Sequence, residues 1–326
     1  MSGILHRTAK GSYHHANAEE ILKDRNLKKR AGKAQLVLTS PPFPLNKKKA
    51  YGNKAGAEYL EWFESLAPIF SELLTDDGSL VIELGNAWEP GRPVQSSLPL
   101  RCMLSLLDHK STPFVLCQQF VAYNPARLPS PAQWVNVERS RVTDSYTNIW
   151  WLSRTDRPKA DNRRVLRPYS KEMKNLLGRQ AYNAGARPSE HGIGEKSFLT
   201  DNKGSISHNL FEMEQLDPDR EVRLPNVFNV PNTISTDAFL SRCREVGIRP
   251  HPARMPVGLA AFFVEFLTER GDLVFDPFAG SNTTGYVAEV LGRRWVSVDA
   301  QPDYADQSIV RFELLHERTQ KKSACR

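Results

Sequence analysis

Cysteine is scarce. The chain has four, Cys102, Cys117, Cys243 and Cys325, in 326 residues. They are too far apart to form a metal knuckle or a redox dithiol, so a reducing, cytosolic setting is the expectation. Long apolar runs are absent too. No stretch approaches the roughly 18 consecutive apolar residues of a membrane-spanning helix, and Met1 to Lys10 lacks the apolar core of a secretory signal. The histidines, among them His14, His15, His191, His208 and His251, do not fall at zinc-ligand spacing, and no metal is assigned. No internal repeat or heptad array is present.

What is there fits a folded enzyme-sized chain. At 40% hydrophobic content it can bury a substantial core as one large domain, or as one domain with an insertion. Lysine and arginine exceed acids by seven over the whole chain. The stretch from Arg154 to Arg187 alone holds ten basic residues against three acids, the same excess. A solvated basic face is the plain reading of that stretch, and a surface that tracks phosphates is the functional one.

Helix and strand patterns alternate outside that stretch. Ala18 to Leu22 reads as a short helix and Leu36 to Leu38 as a buried strand. Glu58 to Leu74, with Leu60, Phe63, Leu66, Ala67, Phe70, Leu73 and Leu74 at helical spacing, reads as one amphipathic helix broken by Asp76-Asp77-Gly78. Strands are expected from Ser79 to Gly85, Phe114 to Tyr123 and Tyr146 to Ser153, with a helix around Leu100 to Leu107. The tryptophans Trp134, Trp150 and Trp151 are expected in the core. From Arg154 to about Pro231 the pattern dissolves into basic, Pro/Gly/Asn-rich sequence, which reads as an inserted, loop-based module. Helices at Thr236 to Glu245 and Val257 to Arg270 then lead to strand, loop, helix and strand between Leu273 and Asp299. This is α/β grammar.

Two turns carry the chemistry. After Leu36-Val37-Leu38 comes Thr39-Ser40-Pro41-Pro42-Phe43, where two prolines fix φ and remove two N–H donors, leaving a hydroxyl and carbonyl oxygens to face a ligand. Such a turn suits an amino group. An exocyclic base amine is a poor nucleophile because its lone pair is delocalised. Acceptors on both its hydrogens, here Ser40 Oγ and the Pro41 carbonyl, can turn the lone pair toward an electrophile while Phe43 stacks on the base. Glu83, near the end of the neighbouring strand, is placed to receive the proton released; an exposed strand-end carboxylate is its plainer reading. The nearby Lys47, Lys48, Lys49 and Tyr51 form a basic loop suited to clamp phosphates.

The second turn is Asp276-Pro277-Phe278-Ala279-Gly280-Ser281-Asn282-Thr283-Thr284-Gly285. It is neither a P-loop, since no lysine follows the glycines, nor a Gly-x-Gly-x-x-Gly dinucleotide loop. What remains is an acid at a strand end, a turn of small residues, and a second acid, Asp299, ending the next strand. An acid in that position accepts from ribose hydroxyls, and Asp276 could meet an ammonium. A nucleoside with an amino-acid tail, S-adenosylmethionine, fits both.

At these residues the chain resembles the β-class, circularly permuted DNA amino-methyltransferases of bacterial type II restriction–modification systems, and among them the Pvu-type cytosine-N4 enzymes. The likeness runs through Thr39 to Phe43, the Lys47 to Asn53 loop, Tyr123-Asn124-Pro125, Leu128 to Pro131, Trp150-Trp151, Arg187-Pro188-Ser189, Asp201 to Ile206, His251 to Pro256 and Phe278 to Gly285. It implies a Rossmann-like methyltransferase sheet flanked by helices, permuted so that a catalytic half (residues 1–153) precedes a target-recognition region (154–235) and a cofactor half (236–326). It implies that Ser40, Pro41, Pro42 and Phe43 handle the target base. Asp276, Phe278, Gly280, Ser281, Asn282, Thr283 and Asp299 would bind S-adenosylmethionine, and His251 and Pro252 would support its methionine end. Glu83 stands where close relatives carry the shorter aspartate. Arg187, Ser189, Lys203 and Asn209 are candidate DNA contacts.

The function expected is transfer of a methyl group to the N4 amine of a cytosine swung out of double-stranded DNA, protecting it from a cognate endonuclease in a bacterial cytoplasm. In this family Ser-Pro-Pro-Phe or -Tyr usually accompanies cytosine N4 and Asp-Pro-Pro-Tyr adenine N6, so adenine N6 methylation stays open. A non-catalytic DNA-binding relative stays open as well.

Overall fold

A computed structural model describes residues 3–43, 54–182, 185–186, 192–194, 196–212, 238–251 and 254–324. Strands β1 (Gly3–Arg7) and β2 (Gly11–His15) pair as an antiparallel hairpin. Helix α1 (Arg25–Ala31), capped by the Asp24 carboxylate on the N–H groups of Asn26 and Leu27, leads into β3 (Ala34–Thr39). Next come α2 (Gly56–Glu64), α3 (Ala67–Leu73), β4 (Leu74–Gly85) and α4 (Leu98–Leu107). The chain continues through β5 (Val115–Tyr123), β6 (Tyr146–Ser153) and α5 (Lys171–Arg179). Two-residue strands β7 (Gly185–Ala186) and β8 (Gly192–Ile193) pair with each other, and β9 (Leu210–Glu212) follows. The last part holds α6 (Ala238–Glu245), α7 (Val257–Leu267), β10 (Leu273–Asp276), α8 (Thr283–Val290), β11 (Arg294–Asp299) and α9 (Tyr304–Ala324).

Nine strands form one sheet in the order β1-β2-β11-β10-β3-β4-β6-β5-β9. The run from β2 through β11, β10 and β3 to β4 is parallel, whereas β6 is antiparallel to both β4 and β5. From β3 the chain moves one way, to β4; from β10 it moves the other way, to β11. The β10/β3 boundary is therefore the point where the winding reverses, the place where open parallel sheets bind ligands beyond the carboxyl ends of their strands.

Helices cover both faces. Along β3, Leu36 and Leu38 enter one apolar cluster with α7 and α8, while Val37 enters the other with α2, α3 and α4. Every residue of β3 is buried, the mark of a parallel strand with helices on both sides.

The fold departs from the sequence pattern at four places. The single helix expected from Glu58 to Leu74 is two, because Pro68 in the first turn of α3 has no N–H to continue an earlier helix and its ring clashes with the carbonyl four residues back. Asp76-Asp77-Gly78 does not separate helix from strand but lies inside β4, where Gly78 fits against the Ala34 carbonyl. Trp134 is half-exposed on a turn of π-helix, unlike the buried Trp150 and Trp151. The stretch after Ser153 is also less detached than expected: Val165 and Phe211 are buried in the main core and β9 extends the main sheet.

Candidate active site

The two turns read from the sequence meet at the winding reversal. The Thr39 hydroxyl at the end of β3 donates to Asp276 Oδ1 at the end of β10, 2.7 Å away. The same oxygen accepts the Phe278 N–H at 3.1 Å. Asp276 is 4% exposed, and burial pushes its carboxyl up to about 6 against the opposing hydrogen bonds from Thr39, Thr284 and the Phe278 amide. Its oxygen is thus taken up in organising the turn.

Thr39 pairs with Ile82 in the parallel ladder, which sets the next residues, Ser40 and Glu83, side by side. Ser40 Oγ donates to Glu83 Oε2 at 2.5 Å. Glu83 is 7% exposed; burial raises its pKa, while the Ser40 hydrogen bond and the Arg127 charge pull it down. The Tyr59 hydroxyl from α2 donates to the Pro42 carbonyl at 2.7 Å, so the donor for this proline-rich turn comes from a side chain. Phe43, half-buried, lies across Gly85: a β-carbon at residue 85 would stand 2.6 Å from the ring. Only glycine leaves room for that ring.

On the other side, Gly280 turns with φ +48 under the His251 ring, whose Nε2 a β-carbon at residue 280 would approach to 3.3 Å. The Gly280 N–H donates to Asp299 Oδ2 at 2.8 Å and the Gln301 N–H to Asp299 Oδ1 at 2.9 Å. Asp299 is half-buried and its pKa is raised by burial. Tyr13 of β2 donates to the Gly280 carbonyl at 2.9 Å. Asn282, in left-handed conformation, caps α8: its Oδ1 accepts from the Gly285 N–H and from Ser297 Oγ, and its amide donates to Ser308 Oγ. Thr283 Oγ1, at the start of α8, is buried with no hydrogen-bond partner. Phe278 meets Trp62 edge-on, with ring centres 5.7 Å apart.

The DNA methylase family model for N6 and N4 enzymes matches residues 34–310, most of the chain. The type II methyltransferase M.PvuII of Proteus hauseri is 42% identical over 279 residues, 85% of this chain and 77% of that protein. The chain belongs to the N6/N4 DNA methylase family. The solved PvuII DNA methyltransferase, described as cytosine-N4-specific, superposes with a TM-score of 0.67 at 32% identity, covering 95% of this chain and 88% of that one. The fold alone is shared with TTHA0409 of Thermus thermophilus, solved with S-adenosyl-L-methionine: TM-score 0.50, 19% identity, 93% and 95% covered.

Within this DNA methylase, Ser40, Pro41, Pro42, Phe43 and Glu83 lie at the ends of β3 and β4, and Asp276, Phe278, Gly280, Ser281, Asn282, Thr283 and Asp299 at the ends of the adjoining β10 and β11, with the His251 ring over Gly280. Lys47, Lys48, Lys49, Tyr51, Arg187, Ser189 and Pro252 lie outside the described residues. Lys203 is exposed, at φ +65. The Asn209 side chain donates to the Gln119 carbonyl, which ties the start of β9 to β5.

The basic stretch splits in two. Arg154, Lys159, Arg163 and Arg164 pair with carboxylates or carbonyls of the body or of their own turn, whereas Lys171, Lys174 and Arg179 sit exposed along α5. Sequence reasoning missed Tyr13, Tyr59, Gly85 and Arg127, because each acts through tertiary proximity. Among the described residues no group of His, Cys, Asp and Glu could hold a metal ion, and no helix is long and apolar enough to cross a membrane.

Proposed function

We propose that this DNA methylase moves the methyl group of S-adenosylmethionine directly to the exocyclic N4 amine of a cytosine extruded from double-stranded DNA. The observation that carries the reading is the joining of the two turns through Thr39 and Asp276, 2.7 Å apart, with the Ser40–Glu83 pair on the next strand. One crevice then serves both an amine and a nucleoside. Ser40 in place of aspartate favours cytosine N4 over adenine N6, in keeping with the cytosine-N4-specific relative.

The residues present fit the cofactor. Glycine at 280 lets the His251 ring lie directly on the turn, and the unpartnered Thr283 hydroxyl stands at the α8 N-terminus. Asp299 keeps lone pairs beyond its two backbone bonds for ribose hydroxyls. When bound, the cofactor supplies an electrophilic methyl on a sulfonium.

The chain's own residues prepare the amine. Because the Ser40 hydroxyl donates its hydrogen bond to Glu83, its Oγ lone pairs are left to accept an N4 hydrogen and draw the nitrogen toward tetrahedral geometry. As the new C–N bond forms, the methyl–sulfur bond would break with its electron pair staying on sulfur; Ser40 Oγ takes the surplus N4 proton as its own proton passes to the Glu83 carboxylate, whose raised pKa makes it the stronger acceptor. Phe43, seated on Gly85, would stack on the base. Stacking contributes roughly 1–3 kcal/mol, comparable with the few kcal/mol that extrusion costs.

Residues 154–235 would read the DNA sequence, with 1–153 supplying the amine site and 236–326 the cofactor site. A cognate endonuclease and a bacterial cytoplasmic location accompany this reading. Radiolabelled methyl transfer to duplex DNA by the wild type, Ser40→Ala and Glu83→Gln tests it. Strong label with the wild type and little with either variant is the expected result; equal label in Ser40→Ala would remove the proposed amine acceptor.

A further inference from the structure

The last helix carries a polar stripe that the proposed reaction does not use. Tyr304, Gln307, Ser308 and Arg311 fall at i, i+3, i+4 and i+7 of α9, on one face, while Ala305, Val310 and Phe312 of the same helix enter the apolar clusters. Gln307, Ser308 and Arg311 are each at most 7% exposed. Buried polar groups of this kind are retained only where they are hydrogen-bonded, so their partners say what the stripe holds.

Apart from His6 Nδ1 of β1, 3.0 Å from Ser308 Oγ, those partners lie on His251 with its approach and on the turn before α8. On the His251 side, Gln307 Oε1 accepts the His251 N–H at 2.8 Å, Gln307 Nε2 donates to the Arg249 carbonyl at 3.1 Å, and the Tyr304 ring meets His251 edge-on at 4.4 Å. On the turn side, Ser308 Oγ accepts from Asn282 Nδ2 at 2.8 Å. Arg311 donates from Nε to the Ser281 carbonyl at 2.7 Å and from Nη2 to Ser281 Oγ at 3.0 Å. The Arg311 guanidinium also lies 3.9 Å over the Phe239 ring of α6, a cation–π contact away from water. The two sides touch where the His251 ring covers the α-carbon of Gly280.

We infer that α9 is a positioning element for the cofactor: Gln307 and Arg311 set the spacing between His251 and the Gly280 to Thr283 turn, and so govern affinity for S-adenosylmethionine from behind the crevice. The inference rests on the proposed cofactor assignment. With the Ser281 carbonyl pinned by Arg311, the start of α8, where the Gly285 and Tyr286 N–H groups are taken by Asn282, is held in place, leaving the Thr283 and Thr284 N–H groups for a ligand. Neither residue touches the amine site, so transfer from a fully loaded enzyme should be indifferent to both.

Titration calorimetry of the full chain with S-adenosylmethionine, alongside steady-state kinetics, is the test. In Arg311→Met the dissociation constant rises roughly tenfold or more, in Gln307→Ala several-fold, and Arg311→Lys, which keeps the charge and one donor, recovers part of the loss. The KM for DNA, and kcat at saturating cofactor, stay within about twofold of the wild type. General destabilisation would lower the active fraction without moving the dissociation constant, so the split separates positioning from simple support. Should Arg311→Met fail to fold, Arg311→Lys and Gln307→Ala carry the comparison. Unchanged affinity in the folded variants, or a lower kcat with affinity intact, would overturn the inference while leaving the reaction standing. A wild type that binds no S-adenosylmethionine would overturn the cofactor assignment and the inference together, and it would do so before any substitution is made.

Discussion

Replacing Asp276 by asparagine should change how the stability of this protein responds to pH. The side chain is 4% exposed, and its carboxyl titrates at about 6 in the folded chain against an ordinary value of 3.8. Between those two values the folded state holds the proton more tightly than the unfolded one, so this group's contribution to stability is greatest at low pH and is lost as pH rises through about 6. A gap of about two pKa units corresponds to about 3 kcal/mol in full, of which about 2 kcal/mol falls between pH 4.5 and pH 7. Asparagine carries no charge to desolvate and keeps an Oδ1 to accept from Thr39 and the Phe278 N–H. Urea unfolding of wild type and Asp276→Asn at the two pH values isolates the effect, because the other titrating groups are common to both. The stability difference between variant and wild type should shift toward the variant by about 2 kcal/mol on going from pH 4.5 to pH 7. A difference that does not move with pH would refute the account of Asp276 as a buried, turn-organising carboxylate.

Gly85→Ala places a methyl 2.6 Å from the Phe43 ring; with the ring displaced, kcat/KM for DNA should fall about tenfold or more, the equivalent of one stacked ring, and an unchanged value would remove Phe43 from base binding. Loss of the Glu83 carboxylate in Glu83→Gln should cut single-turnover transfer by about 100-fold or more. In the wild type the rate should drop as pH falls through the raised Glu83 pKa, since only the ionised form accepts a proton; a flat acid limb contradicts this role. Tyr59→Phe removes the bond to the Pro42 carbonyl and should destabilise the protein by about 1 kcal/mol in denaturant melts. Charge removal at Lys171, Lys174 and Arg179 together should flatten the salt dependence of DNA binding by up to about 0.9 for each phosphate no longer neutralised, and an unaltered slope would take α5 off the DNA path.

Much of this site was legible because its chemistry is contiguous in the chain. Thr39 to Phe43 and Asp276 to Gly285 each announce a strand, a turn and the donors or acceptors on it, and Asp299 ends its strand as expected. Their meeting needed the sheet order, which depends on pairing between β10 and β3 from opposite ends of the chain. Asn282 illustrates the limit: residue type and position suggested a ligand contact, but its side chain is taken up by Gly285, Ser297 and Ser308. Gly85 carries no local signal at all, since the reason for glycine is a ring more than forty positions earlier. The helix α9 and the N-terminal hairpin were not read because their polar residues, among them Tyr13 and Gln307, interrupt the apolar period while being buried for their hydrogen bonds. The reading of Arg154 to Arg187 as one phosphate-tracking run counted charges without partners, and Arg154, Lys159, Arg163 and Arg164 pair within the protein.

Nucleoside mass spectrometry of duplex DNA treated with the wild-type chain and isotopically labelled S-adenosylmethionine tests the central claim most directly. The account predicts label in N4-methylcytosine and its loss in Ser40→Ala. Label confined to N6-methyladenine, or none in any base with active cofactor present, would contradict it.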